Sequence, residues 1–259
     1  MNMANRTILT FETLGELIPE IRAANANPAA ALPNLSNVLH DYTPLPPEAL
    51  FLGIANDGLP VLLNLKDPVP GPVLIAGDPG SGKTKLLQII ARAIDGHQRE
   101  NIRFIILTDN TKEWEGFDQS VSCEAVLSFN QPLTTNYINS LVEWAHNNKQ
   151  DKQFILLLVD GLEALNADKE IHQIFRWLFL RGPARRIWPI VTLNATRTLA
   201  VTNWLESFRT RLYGRITGEK YTELLIGSSD FFFQDLIAGA QFTMRENNNW
   251  LPFWLPNLD

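Results

Sequence analysis

The stretch Leu74-Ile-Ala-Gly-Asp-Pro-Gly-Ser-Gly-Lys-Thr-Lys-Leu-Leu-Gln-Ile-Ile90 runs from apolar residues through a glycine-rich turn, Gly77 to Thr84, into a helical pattern. Gly77, Gly82, Lys83 and Thr84 fit the spacing G-x-x-x-x-G-K-[ST], in which each residue type has a physical task. Glycines let backbone N–H groups turn inward and approach phosphate oxygens with no Cβ in the way. The helix opening at Lys83 adds its positive N-terminal end. From average residue usage, the four fixed positions coincide by chance in roughly 1% of chains this long. The flanks agree: Val73 to Ala76 reads as a buried strand, and Leu86, Leu87, Ile89, Ile90, Ala93 and Ile94 follow helical spacing. Gly77, Asp78, Pro79, Gly80, Ser81, Gly82, Lys83 and Thr84 are therefore the candidate nucleotide-binding residues. Lys83 is expected on the β/γ-phosphates of ATP and the Thr84 hydroxyl on Mg²⁺.

Composition bounds the rest. With 259 residues, 45% of them hydrophobic, the chain can bury a full core. We expect one large α/β domain over residues 51–259, with residues 1–50 as an N-terminal accessory segment. The single cysteine, Cys123, excludes an internal disulfide and suits a reducing compartment. The four histidines lack metal-ligand spacing. There is no run of 18 apolar residues and no signal-peptide pattern, so a cytoplasmic protein without membrane insertion is expected. The net charge of −6 argues against a surface that coats DNA generally. The distribution is uneven, however: Arg176 to Arg215 holds eight arginines against one acid, Glu206, a net +7. That segment calls for a partner or a phosphate.

Along the chain, Phe11 to Ala24 has the spacing of an amphipathic helix (Leu14, Leu17, Ile18, Ile21). Phe51 to Leu65 reads as a hairpin turning at Asn56-Asp57-Gly58. Ile102 to Asp109 and Ala125 to Phe129 read as strands, and Tyr137 to Ala145 as a helix. Asp168 to Arg181 is a second helix, stopped by Gly182-Pro183. Trp188 to Leu193 is another core strand, and the tail, Trp250 to Pro256, reads as an edge strand, where prolines are tolerated. Strands alternating with helices predict a mostly parallel central sheet covered by helices on both faces.

The second chemical element is Phe154-Ile-Leu-Leu-Leu-Val-Asp160-Gly-Leu-Glu163. A fully apolar strand ending in an acid suits a Walker B motif, because it sets one carboxylate beside the Mg²⁺ held by Thr84. Hydrolysis also needs a group that orients or deprotonates water. Gly161 occupies the position directly after Asp160, and Glu163 reaches the water only where the chain turns sharply; otherwise it is a solvated or capping glutamate. Asn194, Thr196 and Arg197 end the Trp188 strand, either sensing a γ-phosphate or capping the surface.

Taken together these elements resemble the FtsK/HerA group of translocase ATPases. The likeness rests on the Leu52-Gly53 hairpin, Gly77 to Thr84, Leu158-Val-Asp160, Ile190 to Arg197, Phe208 to Ile216 with its Thr210-Arg211 pair, and Asp235 to Phe242, and it covers about residues 50–245. It implies a RecA-like P-loop core, a homo-oligomeric, hexameric ring, ATP hydrolysis between subunits, and transport of DNA or, as in type VII secretion relatives, of polypeptide. It also makes Arg211 and Arg197 the candidate arginine fingers, against ordinary salt bridges or carboxylate clamps. Gly161 in place of the family's glutamate resembles the degenerate Walker B of some type VII secretion ATPase domains. Asp160-Gly161 followed by Glu163 is similar also to signalling ATPases of the NACHT type, so the alternative is a low-turnover ATP-binding switch or assembly subunit with a protein partner.

Overall fold

A computed structural model describes residues 32–96, 101–148, 153–166, 169–227, 231–246 and 249–259. The amphipathic pattern at 11–24 lies outside these, as does Asp168.

Six parallel strands form one side of the sheet: β3 (Val73–Gly77), β4 (Ile102–Thr108), β5 (Cys123–Ser128), β6 (Phe154–Asp160), β7 (Ile187–Asn194) and β8 (Thr210–Tyr213). Four antiparallel strands extend it: β1 (Ala49–Ala55), β2 (Pro60–Asn64), β9 (Gln241–Glu246) and β10 (Asn249–Trp254). The order across the sheet is β2-β1-β10-β9-β8-β3-β7-β6-β4-β5. The helices are α1 (Leu35–Asp41), α2 (Lys83–Gly96), α3 (Pro132–Asn147), α4 (Lys169–Arg181), α5 (Thr202–Leu205) and α6 (Glu219–Ile226).

Strands buried on both faces have no polar alternation, which is why β3, β4, β6 and β7 read as continuous apolar runs. Their side chains divide into two clusters. Ile75, Phe104, Ile106, Leu156, Leu158, Trp188 and Ile190 pack with Leu86, Leu87 and Ile90 of α2 and with Leu35 and Leu39 of α1. Leu74, Leu107, Leu157, Val159, Val191 and Leu193 pack on the other face with Ile138 and Leu141 of α3, Phe175 and Leu178 of α4, and Trp204 of α5. The sheet is thus covered on both faces, as expected. By the same period of two, Asp160 follows Leu156 and Leu158 onto the α2 side, and Thr192 follows Trp188 and Ile190 there.

The tail corrects one expectation. β10 is no edge strand: it lies between β9 and β1, and β2 and β5 form the edges. Proline is tolerated there because β1 pairs only with Phe253 and Trp254, so Pro252 lies beyond that ladder.

Leu158 is fully buried at the centre of the sheet. Leu158→Ala is expected to cost about 2–5 kcal/mol of unfolding free energy, measured from the urea midpoint. A change within about 0.5 kcal/mol, as at exposed positions, would contradict this packing.

Candidate phosphate-loop site

The loop between β3 and α2 is held from both sides. Gly80 and Gly82 have φ of +75° and +96°, a region open to glycine. A Cβ on Gly82 would lie 2.9 Å from Gly239 Cα, and one on Gly77 would lie 2.4 Å from Ser81 Oγ. The Asp78 N–H donates to the Arg215 carbonyl (2.8 Å), and Gly239 N–H donates to the Ser81 carbonyl (3.1 Å). Asp78 Oδ2 accepts both the N–H and the hydroxyl of Thr217, each at 2.8 Å. The first turn of α2 has no acidic residue, so no carboxylate within that turn opposes its positive N-terminal end.

Lys83 Nζ donates to the carbonyls of Gly77 (3.0 Å) and Asp78 (2.8 Å), folded back onto its own loop. Burial pulls its pKa down, countered by Asp160, Glu163 and Asp78. One residue on, Thr84 Oγ1 donates to Asp160 Oδ2 at 2.9 Å. The other oxygen, Oδ1, accepts the Thr192 hydroxyl at 2.7 Å. The acid ending β6 is thus fixed between a hydroxyl of α2 and one of β7. Among the described residues no cluster of three or more His, Cys, Asp or Glu could hold a metal. A P-loop magnesium needs no such cluster, since it takes one hydroxyl, phosphate oxygens and water with a nearby carboxylate.

Gly161, at φ +124°, turns the chain sharply after Asp160, and Leu162–Asn166 follows as a 3-10 turn. Burial raises the pKa of Glu163, its own backbone N–H, Lys83 and Arg197 lower it, and Asp160 raises it. Glu163 Oε2 is buried and has no hydrogen-bond partner among the described residues. The glycine cradle with the Thr84–Asp160 pair fits a nucleotide with its magnesium.

Asn194 lies in register with Gly77, at the same sheet end. Its Oδ1 accepts the N–H (3.2 Å) and hydroxyl (3.0 Å) of Thr196, a cap on the 3-10 turn Ala195–Val201. Arg197 is exposed and, among the described residues, has no hydrogen bond or ion pair; its charge acts on Glu163. Arg211 is placed differently. Its Nε donates to the Phe208 carbonyl (3.0 Å), Nη1 to Leu225 (2.6 Å) and Nη2 to Leu205 (2.6 Å). It pairs in register with Leu74, whose side chain lies on the face away from α2. The geometry makes Arg211 a clamp on backbone carbonyls and does not bring it to the loop. Arg185 and Arg186 precede β7, at the opposite end of the strands, with the Arg186 guanidinium 5.1 Å over the Phe154 ring. Cys123 is half-buried, and burial pushes its thiol up to about 11, away from reactivity.

Thr192, Thr217 and Gly239 are missing from the residues picked out in the sequence. Thr192 had a signal: it is the one hydroxyl inside the apolar run Trp188 to Leu193, now 2% exposed. Thr217 had none and Gly239 only its place in the stretch Asp235 to Phe242, because only the pairing of β8 with β3 and of β9 with β8 brings their loops to the phosphate loop.

No protein-family model matches the sequence, and no curated protein matches it. Solved structures do match in fold. The cytoplasmic domain of the type VII secretion ATPase EccC from Thermomonospora curvata aligns with a TM-score of 0.69 at 15% identity, over 87% of this chain and 32% of that one. The pCW3 conjugation coupling protein TcpA, solved with ATPγS, gives 0.64 at 13% identity over 82% of this chain and 67% of its own. B204, the DNA-packaging ATPase of Sulfolobus turreted icosahedral virus, gives 0.55 at 13% identity over 73% of this chain and 98% of its own. The fold is therefore that of RecA-like P-loop ATPases, and the resemblance to FtsK/HerA-type ATPases holds at the level of architecture. This chain spans about a third of the EccC domain's length. Among the described residues no helix is long and apolar enough to cross a membrane.

Two outcomes test this geometry. Thr192→Val should raise the Mg²⁺ concentration needed for half-maximal nucleotide effect by about tenfold or more, with Thr192→Ser near wild type; an unchanged Mg²⁺ requirement in the valine variant would contradict the role. Folding raises the pKa of Glu163 above its unfolded value, so its ionisation at neutral pH opposes folding. Glu163→Gln should therefore raise the melting temperature of the nucleotide-free protein at pH 7, and the gain should fade as pH falls below the raised folded-state pKa and vanish below the ordinary glutamate value of about 4.3. A gain independent of pH, or a loss at pH 7, would count against a buried, unpaired carboxylate.

Proposed function

We propose that the chain is a Mg²⁺-dependent ATPase of the FtsK/HerA type, acting as a homo-oligomeric, ring-forming motor on DNA or polypeptide in the cytoplasm. The observation that carries this reading is the Thr84–Asp160 hydrogen bond at 2.9 Å, together with a buried Glu163 oxygen that has no hydrogen-bond partner among the described residues. In this reading residues 51–259 form the ATPase domain and residues 1–50 an accessory segment. Gly77 to Gly82 cradle the phosphates with backbone N–H groups. Lys83 exchanges the Gly77 and Asp78 carbonyls for β/γ-phosphate oxygens. Thr84 and Asp160 hold Mg²⁺, which when bound neutralises charge developing on the transferred phosphoryl group.

Glu163 orients the attacking water and takes its proton. A carboxylate raised by burial suits that task better than an ordinary one near neutral pH. Asn194 and Thr196 sense the γ-phosphate, and the free Nδ2 of Asn194, unbonded among the described residues, supports that role. Arg197 serves as the finger reaching a neighbouring subunit's γ-phosphate, since its guanidinium is exposed and unengaged. Arg211 is set aside for this role, because three carbonyls already occupy its guanidinium. Transport is supported by neighbours described as a conjugation coupling protein, a DNA-packaging ATPase and a type VII secretion ATPase.

One observation favours a second reading: Gly161 leaves no carboxylate directly after Asp160, as in a low-turnover ATP-dependent switch or assembly subunit. Steady-state ATP hydrolysis with and without double-stranded DNA separates the two. A motor on DNA should be stimulated by it, and Glu163→Gln should lose about 100-fold or more in turnover. Tight ATP binding with negligible turnover under both conditions would overturn the motor and favour the switch. At a lower level, ATP at a hundred times its dissociation constant should stabilise the wild type by about 2.7 kcal/mol and Lys83→Ala hardly at all. Equal thermal shifts in the two proteins would contradict the phosphate role of Lys83.

A further inference from the structure

We infer that the groove between α1, the outer side of α2 and the last residues of the chain is the docking site of this chain's own N-terminal segment, Phe11 to Ala24. The groove encloses about 500 Å³. Leu35 and Leu39 of α1, Phe117 and Leu258 line it with apolar surface, and Arg92 of α2 adds a cation. Arg92 is exposed, with its guanidinium 4.1 Å from the centre of the Phe117 ring. Among the described residues it forms no ion pair. The two carboxylates at the groove are already engaged: Asp95 Oδ1 accepts the Ser120 hydroxyl at 2.5 Å, and Asp259 Oδ2 accepts the Ser36 N–H at 3.0 Å.

The occupant follows from where the chain leaves the described residues. Leu32, the first of them, is pinned at the groove's edge. Its carbonyl accepts Asn257 Nδ2 and the Pro33 carbonyl accepts the Asn257 N–H, each at 2.9 Å, and Leu258 follows Asn257 directly. From Leu32 the seven residues 25–31 span at most about 25 Å, which suffices to bring Ala24 back to a groove that begins at Leu35. Phe11 to Ala24 carries what the groove calls for: Leu14, Leu17, Ile18 and Ile21 for the apolar lining, and Glu12, Glu16 and Glu20, against the one cation Arg22, for Arg92. The tether holds these groups at an effective concentration on the order of millimolar, so modest contacts are enough. Gln88 and Arg92, which line the groove, belong to α2 itself, so the docked segment covers the helix that opens with Lys83 and Thr84.

Thiol cross-linking of the full 259-residue chain tests this in a Cys123→Ala background, with Leu17→Cys combined with either Leu258→Cys or Leu180→Cys. Leu180 is the control, 74% exposed on α4, which packs on the opposite face of the sheet. A short bismaleimide should join Leu17→Cys to Leu258→Cys many times more than to Leu180→Cys, and the product should migrate as a monomer under denaturing conditions. Arg92→Glu should cut the yield several-fold, and Glu16→Arg with Glu20→Arg should restore most of it. Hydrogen exchange reads the same contact without added cysteines: Leu17→Asp with Ile18→Asp should speed exchange in α1 and around Phe117 and leave α4 as in wild type. A dimeric product, which would seat a neighbouring copy's segment in the groove, would overturn the inference. So would a yield no higher than with Leu180→Cys, a yield indifferent to the charge at position 92, or exchange unchanged in α1 and around Phe117.

Discussion

The carboxylate of Asp160 is held at both oxygens by hydroxyls from separate elements, Thr84 on α2 and Thr192 on β7. For this to occur, three strands must lie in one order and one register. Ile75 of β3 stands beside Thr192 of β7, and Leu158 of β6 stands beside Ile190. The period of two then points Thr192 and Asp160 toward the helix that β3 feeds. A slip of one residue would turn both side chains to the opposite face. The apolar alternation of β6 and β7 between two buried clusters fixes the register strongly enough to prevent it.

Around that carboxylate the site is built from conflicting charge and burial. Lys83 and Glu163 are both driven toward their neutral forms by burial, yet each lowers the cost of the other's charge. Lys83 meets its need by folding onto two loop carbonyls, while one Glu163 oxygen has no partner among the described residues. The loops carrying Thr217 and Gly239 hold the phosphate loop in its open cradle shape, so a ligand would meet a preformed site.

Much of this was legible before any coordinates. Gly77 to Thr84 announced a strand, a loop and a helix because glycine and lysine at that spacing have few other uses. Apolar runs within 102–108, 154–159 and 188–193 announced strands buried on two faces. The hairpin at 51–65 followed from Asn56-Asp57-Gly58, and Gly58 does take φ +81°. What escaped depended on pairing between distant segments. Nothing local in Trp250 to Pro256 says that β1 will cover its end, so an interior strand read as an edge. Arg211 and Arg197 look alike in sequence, and only burial separates a carbonyl clamp from an exposed guanidinium. Thr192 was hidden by its setting, since a lone threonine in an apolar strand reads as packing until its partner is known.

The central claim is that Thr84 and Asp160 act as one magnesium site. The most direct measurement is the factor by which Mg²⁺ enhances ATP affinity in wild type, Thr84→Ala, Asp160→Ala and the double variant. The account predicts that each single variant loses most of the enhancement while keeping magnesium-free binding, and that the double variant loses no more than either. Enhancement that survives in both single variants would contradict a shared metal at this pair.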